Sequence, residues 1–112
     1  MAKRYISNDE CTIDYAFQRI GGKHKGRILW HLHANTILRY GELRRLVTGI
    51  TAKMLTQTLR ELEEDQLIAK KVYYQVPPKV EYRLTLTGSE FIPFIQHLNQ
   101  WGERQMQQSQ AG

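Results

Sequence analysis

Apolar residues recur at helical spacing as far as Leu62, at alternate positions between Ile68 and Leu86, and at helical spacing again from Phe91. This double change of period dictates helices, then a hairpin, then a helix. Ile13, Ala16, Phe17 and Ile20 fall at i, i+3, i+4 and i+7, and Gly21-Gly22 ends that first stripe. A second helix is predicted over about Lys23–His33, burying Ile28, Leu29 and Leu32. Gly26 inside it costs about 1 kcal/mol relative to Ala. After an extended piece at Ile37-Leu38-Arg39, a short helix is predicted over about Gly41–Val47. Gly49 suits the left-handed residue that closes it, and Thr51 suits the N-cap of the next. That next helix, about 52–65, places Leu55, Leu59 and Leu62 within about 60° of one another. Two helices joined by a Gly-containing turn outline a helix-turn-helix. The hairpin that follows, about 68–86, reverses at Val76-Pro77-Pro78-Lys79 and forms a wing. Thr87-Gly88-Ser89-Glu90 reads as a capping box opening a last helix, about 87–104, which Pro93 kinks early. The fold class is α+β, mostly helical: a winged helix-turn-helix over 11–104, a flexible arm at 1–10 and a frayed tail at 105–112.

Several function classes are excluded by what the chain lacks. About a quarter of its 112 residues are Leu, Ile, Val or Phe, enough for one core. The longest stretch without a charge, Phe91–Gly102, falls short of the ~18 apolar residues that span a bilayer. With a polar N-terminus as well, a cytoplasmic protein with no membrane partner is expected. A lone cysteine, Cys11, supplies neither an internal disulfide nor a thiolate-rich metal cage. His24, His31, His33 and His97 contain no i, i+4 pair, and Phe17 stands where a phosphate loop ending in Gly21-Gly22-Lys23 needs its first glycine. No catalytic set, metal or cofactor is implied, and any small-molecule inducer is left undefined.

The charge has a direction. Sixteen Lys/Arg against 11 Asp/Glu give +5, and the first fifty residues supply the whole excess. Such a surface attracts polyanions. On the 52–65 helix Lys53, Gln57 and Arg60 point away from the leucine stripe, with Thr56 at the flank. These are long hydrogen-bonding groups of the kind that read base edges in a major groove. Glu61, Glu63, Glu64 and Asp65 crowd the far end, so the basic N-terminal part is the end to insert. Arg44, Arg45, Thr51, Lys70, Lys71, Lys79 and Arg83 are candidates for backbone contacts by the preceding helix, the turn and the wing. The alternative is a winged-helix module that docks proteins without binding DNA.

The segments Ile20-Gly21-Gly22-Lys23, Glu42-Leu43-Arg44-Arg45-Leu46, Gly49-Ile50-Thr51, Lys53-Met54-Leu55-Thr56-Gln57, Val76-Pro77-Pro78-Lys79-Val80-Glu81-Tyr82 and Trp101-Gly102 closely resemble the HxlR-type transcriptional regulators. The resemblance covers about residues 11–103. It implies a homodimer, akin to the MarR group, that binds double-stranded DNA at a pseudo-palindromic operator. It also implies dimerisation through the first and last helices, with Ile13, Phe17, Ile20, Phe91, Phe94, Ile95, Leu98 and Trp101 as interface candidates. Apolar residues on those two helices exceed what a small trihelical core and a hairpin can bury. Many members carry a cysteine at the position of Cys11, and some of those sense oxidants or electrophiles, so Cys11 is the redox candidate. Three departures stand out: His24 where members usually have Trp, Gly26 where they have a larger apolar residue, and Thr12 where Pro often follows the cysteine. The first two are expected to weaken packing of the second helix.

Overall fold

The computed structural model describes residues 11–111; the predicted arm at 1–10 lies outside them. In chain order come α1 (Thr12–Ile20), α2 (Lys25–Asn35), β1 (Leu38–Arg39), α3 (Tyr40–Leu46), α4 (Ala52–Glu64), β2 (Ile68–Tyr73), β3 (Lys79–Leu84), α5 (Leu86–Ser89) and α6 (Ile92–Ala111). The short extended piece at 38–39 becomes the edge of an antiparallel sheet in the order β1-β3-β2. Leu38 lies opposite Tyr82 and Ile68 opposite Leu84. Among the described residues no helix is long and apolar enough to cross a membrane.

The core is the meeting place of α2, α3, α4 and the base of the sheet. Ile28, Leu29 and Leu32 of α2 pack with Leu43 and Val47, with Leu55, Leu59 and Leu62 of α4, and with Leu67 and Ile68. Burying each such side chain contributes about 1.5–3 kcal/mol. Gly49 takes φ +86°, the left-handed conformation its place in the α3–α4 turn demands. Thr51 caps α4, its hydroxyl accepting the Met54 N–H at 3.1 Å.

The C-terminal region differs from the sequence reading. The 87–104 segment is two helices, and the cap is Thr85 rather than Thr87. The Thr85 hydroxyl accepts the Gly88 N–H at 3.0 Å and donates to the Gln66 carbonyl at 2.6 Å, tying α5 to the end of α4. A Cβ at Gly88 would overlap the Leu67 carbonyl, so only glycine fits there. Pro93 has no N–H to give the Ser89 carbonyl, which interrupts the helix after α5. Within α6 it occupies the first turn, where that N–H has no intrahelical partner anyway, so it starts the helix instead of kinking it. The expected frayed tail is also helical: α6 runs to Ala111 through Glu, Arg, Gln and Met, good helix formers with no Gly or Pro to stop them after Gly102.

The outer helices meet the core along one edge only. α1 has no buried residue, and α6 has none beyond Ile92 and Ile95 among the residues whose burial is described.

Candidate nucleic-acid interface

α4 carries its two faces as its period requires. Leu55, Leu59 and Leu62 are buried, and Lys53, Thr56, Gln57 and Arg60 are exposed together on the outer side. These four line one shallow concavity with Ala52, Glu61 and Glu64. Thr56 and Arg60 also face the hollow between α4 and the wing, where Lys70 and Tyr82 form the opposite wall. The structure therefore brings all four reading candidates onto one surface beside the wing.

Two of the four are held by neighbours. The Tyr40 hydroxyl donates to the Ala52 carbonyl at 2.9 Å and lies 3.0 Å from the Thr56 hydroxyl, fixing the start of α4 against α3. The Gln57 amide donates to the Glu61 carboxylate at 3.3 Å. Tyr40 escapes a reading of the sequence because nothing in periodicity tells that an aromatic at the start of α3 reaches the next helix.

The acids at the end of α4 are engaged in ion pairs. Glu61 pairs with Lys25 of α2 at 3.2 Å, Asp65 with Arg19 of α1 at 3.7 Å and Glu63 with Lys70 of β2 at 3.8 Å. Hydrogen bonds from Lys25 and then Gln57 hold the Glu61 carboxyl below its ordinary pKa. The acidic cluster thus staples α4 to three other elements, and the pairing also occupies Lys70, a backbone-contact candidate.

The wing's basic residues are divided by the pleat. Side chains alternate along a strand, so Lys71, Lys79 and Arg83 share one face of the β2–β3 ladder, whereas Lys70 lies on the other with Ile68. Lys71 and Lys79 flank the Tyr73 ring, their ammonium groups 5.0 and 4.7 Å from its centre. Lys79 also pairs with Glu81 at 3.4 Å, and a hydrogen bond from Tyr73, then the Lys79 charge, keep the Glu81 carboxyl below its ordinary pKa. Glu81 is not among the candidates read from sequence, although its place two residues from Lys79 on a strand puts both on one face. Arg44 and Arg45 are exposed on α3 and enter no ion pair among the described residues. The alternation read along β2 does not translate into burial, since Val72 and Tyr74 are exposed and only the base of the wing meets the core.

The dimer candidates divide as well. Ile13, Phe17, Phe94, Leu98 and Trp101 are 41–58% exposed, and Phe94, Leu98 and Trp101 fall at i, i+4 and i+7 on α6. Ile95 is instead buried within the monomer core, and Ile20 and Phe91 pack partly against it. Ile20 and Ile95 follow the inner edge of their helices and Phe91 lies in the turn between α5 and α6, which the sequence stripe alone does not separate from the outer face.

Cys11 is the N-cap residue of α1, partly exposed, with no side-chain capping bond. His24, expected to loosen α2, is buried beside Arg27, whose Nη1 lies 3.4 Å from its Nδ1. Burial first, then the charges of Arg27 and Lys23, push its pKa below the ordinary value. Among the described residues no group of three His, Cys, Asp or Glu is placed to hold a metal ion.

The model of the HxlR-like helix-turn-helix family matches residues 19–110. The uncharacterised HTH-type transcriptional regulator YdeP of Bacillus subtilis is 47% identical over 102 residues, covering 89% of this chain and 79% of that protein. Among solved structures, the redox regulator HypR in its reduced form superposes with a TM-score of 0.82 at 38% identity, covering 91% of this chain and all of that one. Its oxidised form gives 0.79 at 42% identity, covering 84% and 96%.

Proposed function

The chain belongs to the HxlR-like helix-turn-helix family and is a helix-turn-helix transcriptional regulator, and from that premise we propose that it works as a homodimer on a pseudo-palindromic DNA operator. The observation that carries this reading is the outer face of α4, where Lys53, Thr56, Gln57 and Arg60 stand exposed together beside the wing. Side chains of this length and chemistry on one helix face match the donor and acceptor pattern of a major groove. Arg44, Arg45, Thr51, Lys71, Lys79 and Arg83 supply phosphate contacts that set the register.

The second copy joins through the exposed apolar face of α1 and α6, so that two α4 helices enter successive major grooves. Cys11, at the start of α1, is placed to report oxidation to that face, and HypR, a redox regulator by name, has the same fold. With one cysteine per chain, oxidation links Cys11 to a second subunit or to a small thiol.

The experiment is an electrophoretic shift on DNA upstream of the protein's own gene over a salt series, with and without a mild oxidant. A DNA reader loses affinity with a slope of about −0.9 per phosphate contact on a log–log plot. A complex indifferent to salt, or none at all, supports the protein-docking module instead. Oxidant is expected to weaken the wild-type complex and to leave Cys11→Ser unaffected; equal loss in both removes the thiol from the account.

A further inference from the structure

Gln57, on the outer face of α4, ends a chain of contacts that begins on another helix. Lys25 opens α2, and only 14% of its side chain is exposed; its ammonium meets the Glu61 carboxylate at 3.2 Å. The same ammonium donates to the Gln18 carbonyl of α1 at 3.2 Å. Glu61 in turn accepts the Gln57 amide at 3.3 Å. Glu61 also lines the concavity that holds Lys53, Thr56, Gln57 and Arg60, so the chain of contacts ends inside the reading surface. Polar side chains at i and i+4 on an exposed helix face hold each other only weakly. Here the acceptor is anchored from α2, which fixes where the Gln57 amide can find it.

The chemistry of the pair decides which way that amide faces. Hydrogen bonds from Lys25 first and Gln57 second hold the Glu61 carboxyl below its ordinary pKa, so at neutral pH it is ionised and offers acceptors only. Gln57 must therefore turn its NH2 group toward Glu61. One N–H is occupied there, and the carbonyl oxygen and the second N–H are left for a partner. On its major-groove edge adenine shows one acceptor, N7, and one donor, the N6 amino group, whereas guanine shows two acceptors, N7 and O6. An amide with one donor and one acceptor free matches adenine, and against guanine it sets its own carbonyl oxygen on O6. The Glu61 carboxylate, committed to Lys25 and Gln57, is not itself the reading group.

We propose that Gln57 reads an adenine in the operator, and that Glu61 and Lys25 are positioning residues that sharpen its preference for adenine over guanine by holding one amide N–H away from the base. The assignment rests on the reading of α4 as the DNA-contacting helix and carries it from a helix face to a base. It also places a determinant of specificity on α2, outside the α3–α4 pair.

Selection from a library of short duplexes with a randomised centre, run in parallel on the wild type and its variants, tests the assignment. The position whose preference vanishes in Gln57→Ala is the one that Gln57 reads. The wild type is expected to select adenine over guanine there by about tenfold or more. Glu61→Ala and Lys25→Met are expected to lower that ratio to about twofold and to leave the preferences at other positions intact. Lys25→Arg, which still donates to Glu61, keeps the wild-type ratio. Met retains the apolar stem of Lys25 and Ala is a good helix former at position 61, and preserved preferences elsewhere report that each variant is folded. A selected duplex with 7-deazaadenine at that position lacks the N7 acceptor; it should bind the wild type about tenfold more weakly and leave Gln57→Ala unaffected.

A preference for guanine or a pyrimidine at that position, no position lost in Gln57→Ala, or an unchanged adenine-to-guanine ratio in either Glu61→Ala or Lys25→Met overturns the proposal. Equal losses at every position make Lys25 and Glu61 a general prop of α4 and overturn it as well. In each of these outcomes the wild type still enriches a sequence, so the operator reading stands. Enrichment of no sequence overturns that reading and the assignment with it.

Discussion

The interior of the α2–α4 unit and the faces of α1 and α6 are equally apolar in sequence and opposite in fate. Leu29, Leu43, Leu55 and Leu62 are fully buried, while Phe17, Leu98 and Trp101 remain more than half exposed. Both sets have helical spacing, so periodicity identifies a face without saying whether the chain itself covers it. The difference separates a unit that holds itself together from the surface proposed to receive a second copy.

Truncation on the two sides breaks that comparison if the account is wrong. Leu59→Ala, in the core, is expected to cost about 2–5 kcal/mol, read as a lower urea midpoint at every protein concentration. Leu98→Ala on α6 is expected to cost about 1.5–3 kcal/mol for each copy of the side chain buried in the dimer, read as weaker self-association in sedimentation while the monomer's fold persists. A concentration-independent loss of stability in Leu98→Ala places that side chain with the core.

The reading face should respond differently again. Arg60→Ala and Gln57→Ala are expected to relax preference at single base pairs by about 1–3 kcal/mol, measured by competition between operator variants. Lys71→Gln should weaken all sequences alike and flatten the salt slope by about 0.9 for each phosphate it no longer neutralises.

Acid should act on the helix-packing unit. His24 and His31 have folded pKa values below their ordinary 6.5, and Glu61 lies below its ordinary 4.5. The folded state therefore binds fewer protons than the unfolded one, and stability present at neutral pH falls as pH drops below 6.5 and again below 4.5. Replacing His24 by Phe is expected to flatten the upper part of this fall, checked by urea midpoints across pH. The smallest effect belongs to the surface staple: Lys70→Gln, which breaks the pair with Glu63, should cost about 0–1 kcal/mol.

The elements of the fold are legible in the sequence because each is punctuated locally: Gly21 after α1, Gly49 and Thr51 around the turn, Pro77-Pro78 between the strands. The C-terminal end is harder to read, since Thr85 and Thr87 are both capping residues and only the hydrogen bond of Thr85 to Gln66 decides between them. At the interface, the outer side chains of α4 follow from its period. Their partners do not, because Tyr40, Lys25 and Arg19 reach α4 across the tertiary fold, at separations that carry no local signal. Ile95 reads as an outer residue for the same reason: Phe94 and Ile95 are adjacent, and only the packed structure divides them.

The central claim is that two copies, joined through α1 and α6, present two α4 helices to one face of DNA. Hydroxyl-radical footprinting on the operator tests it most directly. The account predicts two protected patches centred about 10 base pairs apart, both absent in Leu98→Glu. A single protected patch, or a paired footprint that survives Leu98→Glu, would contradict it.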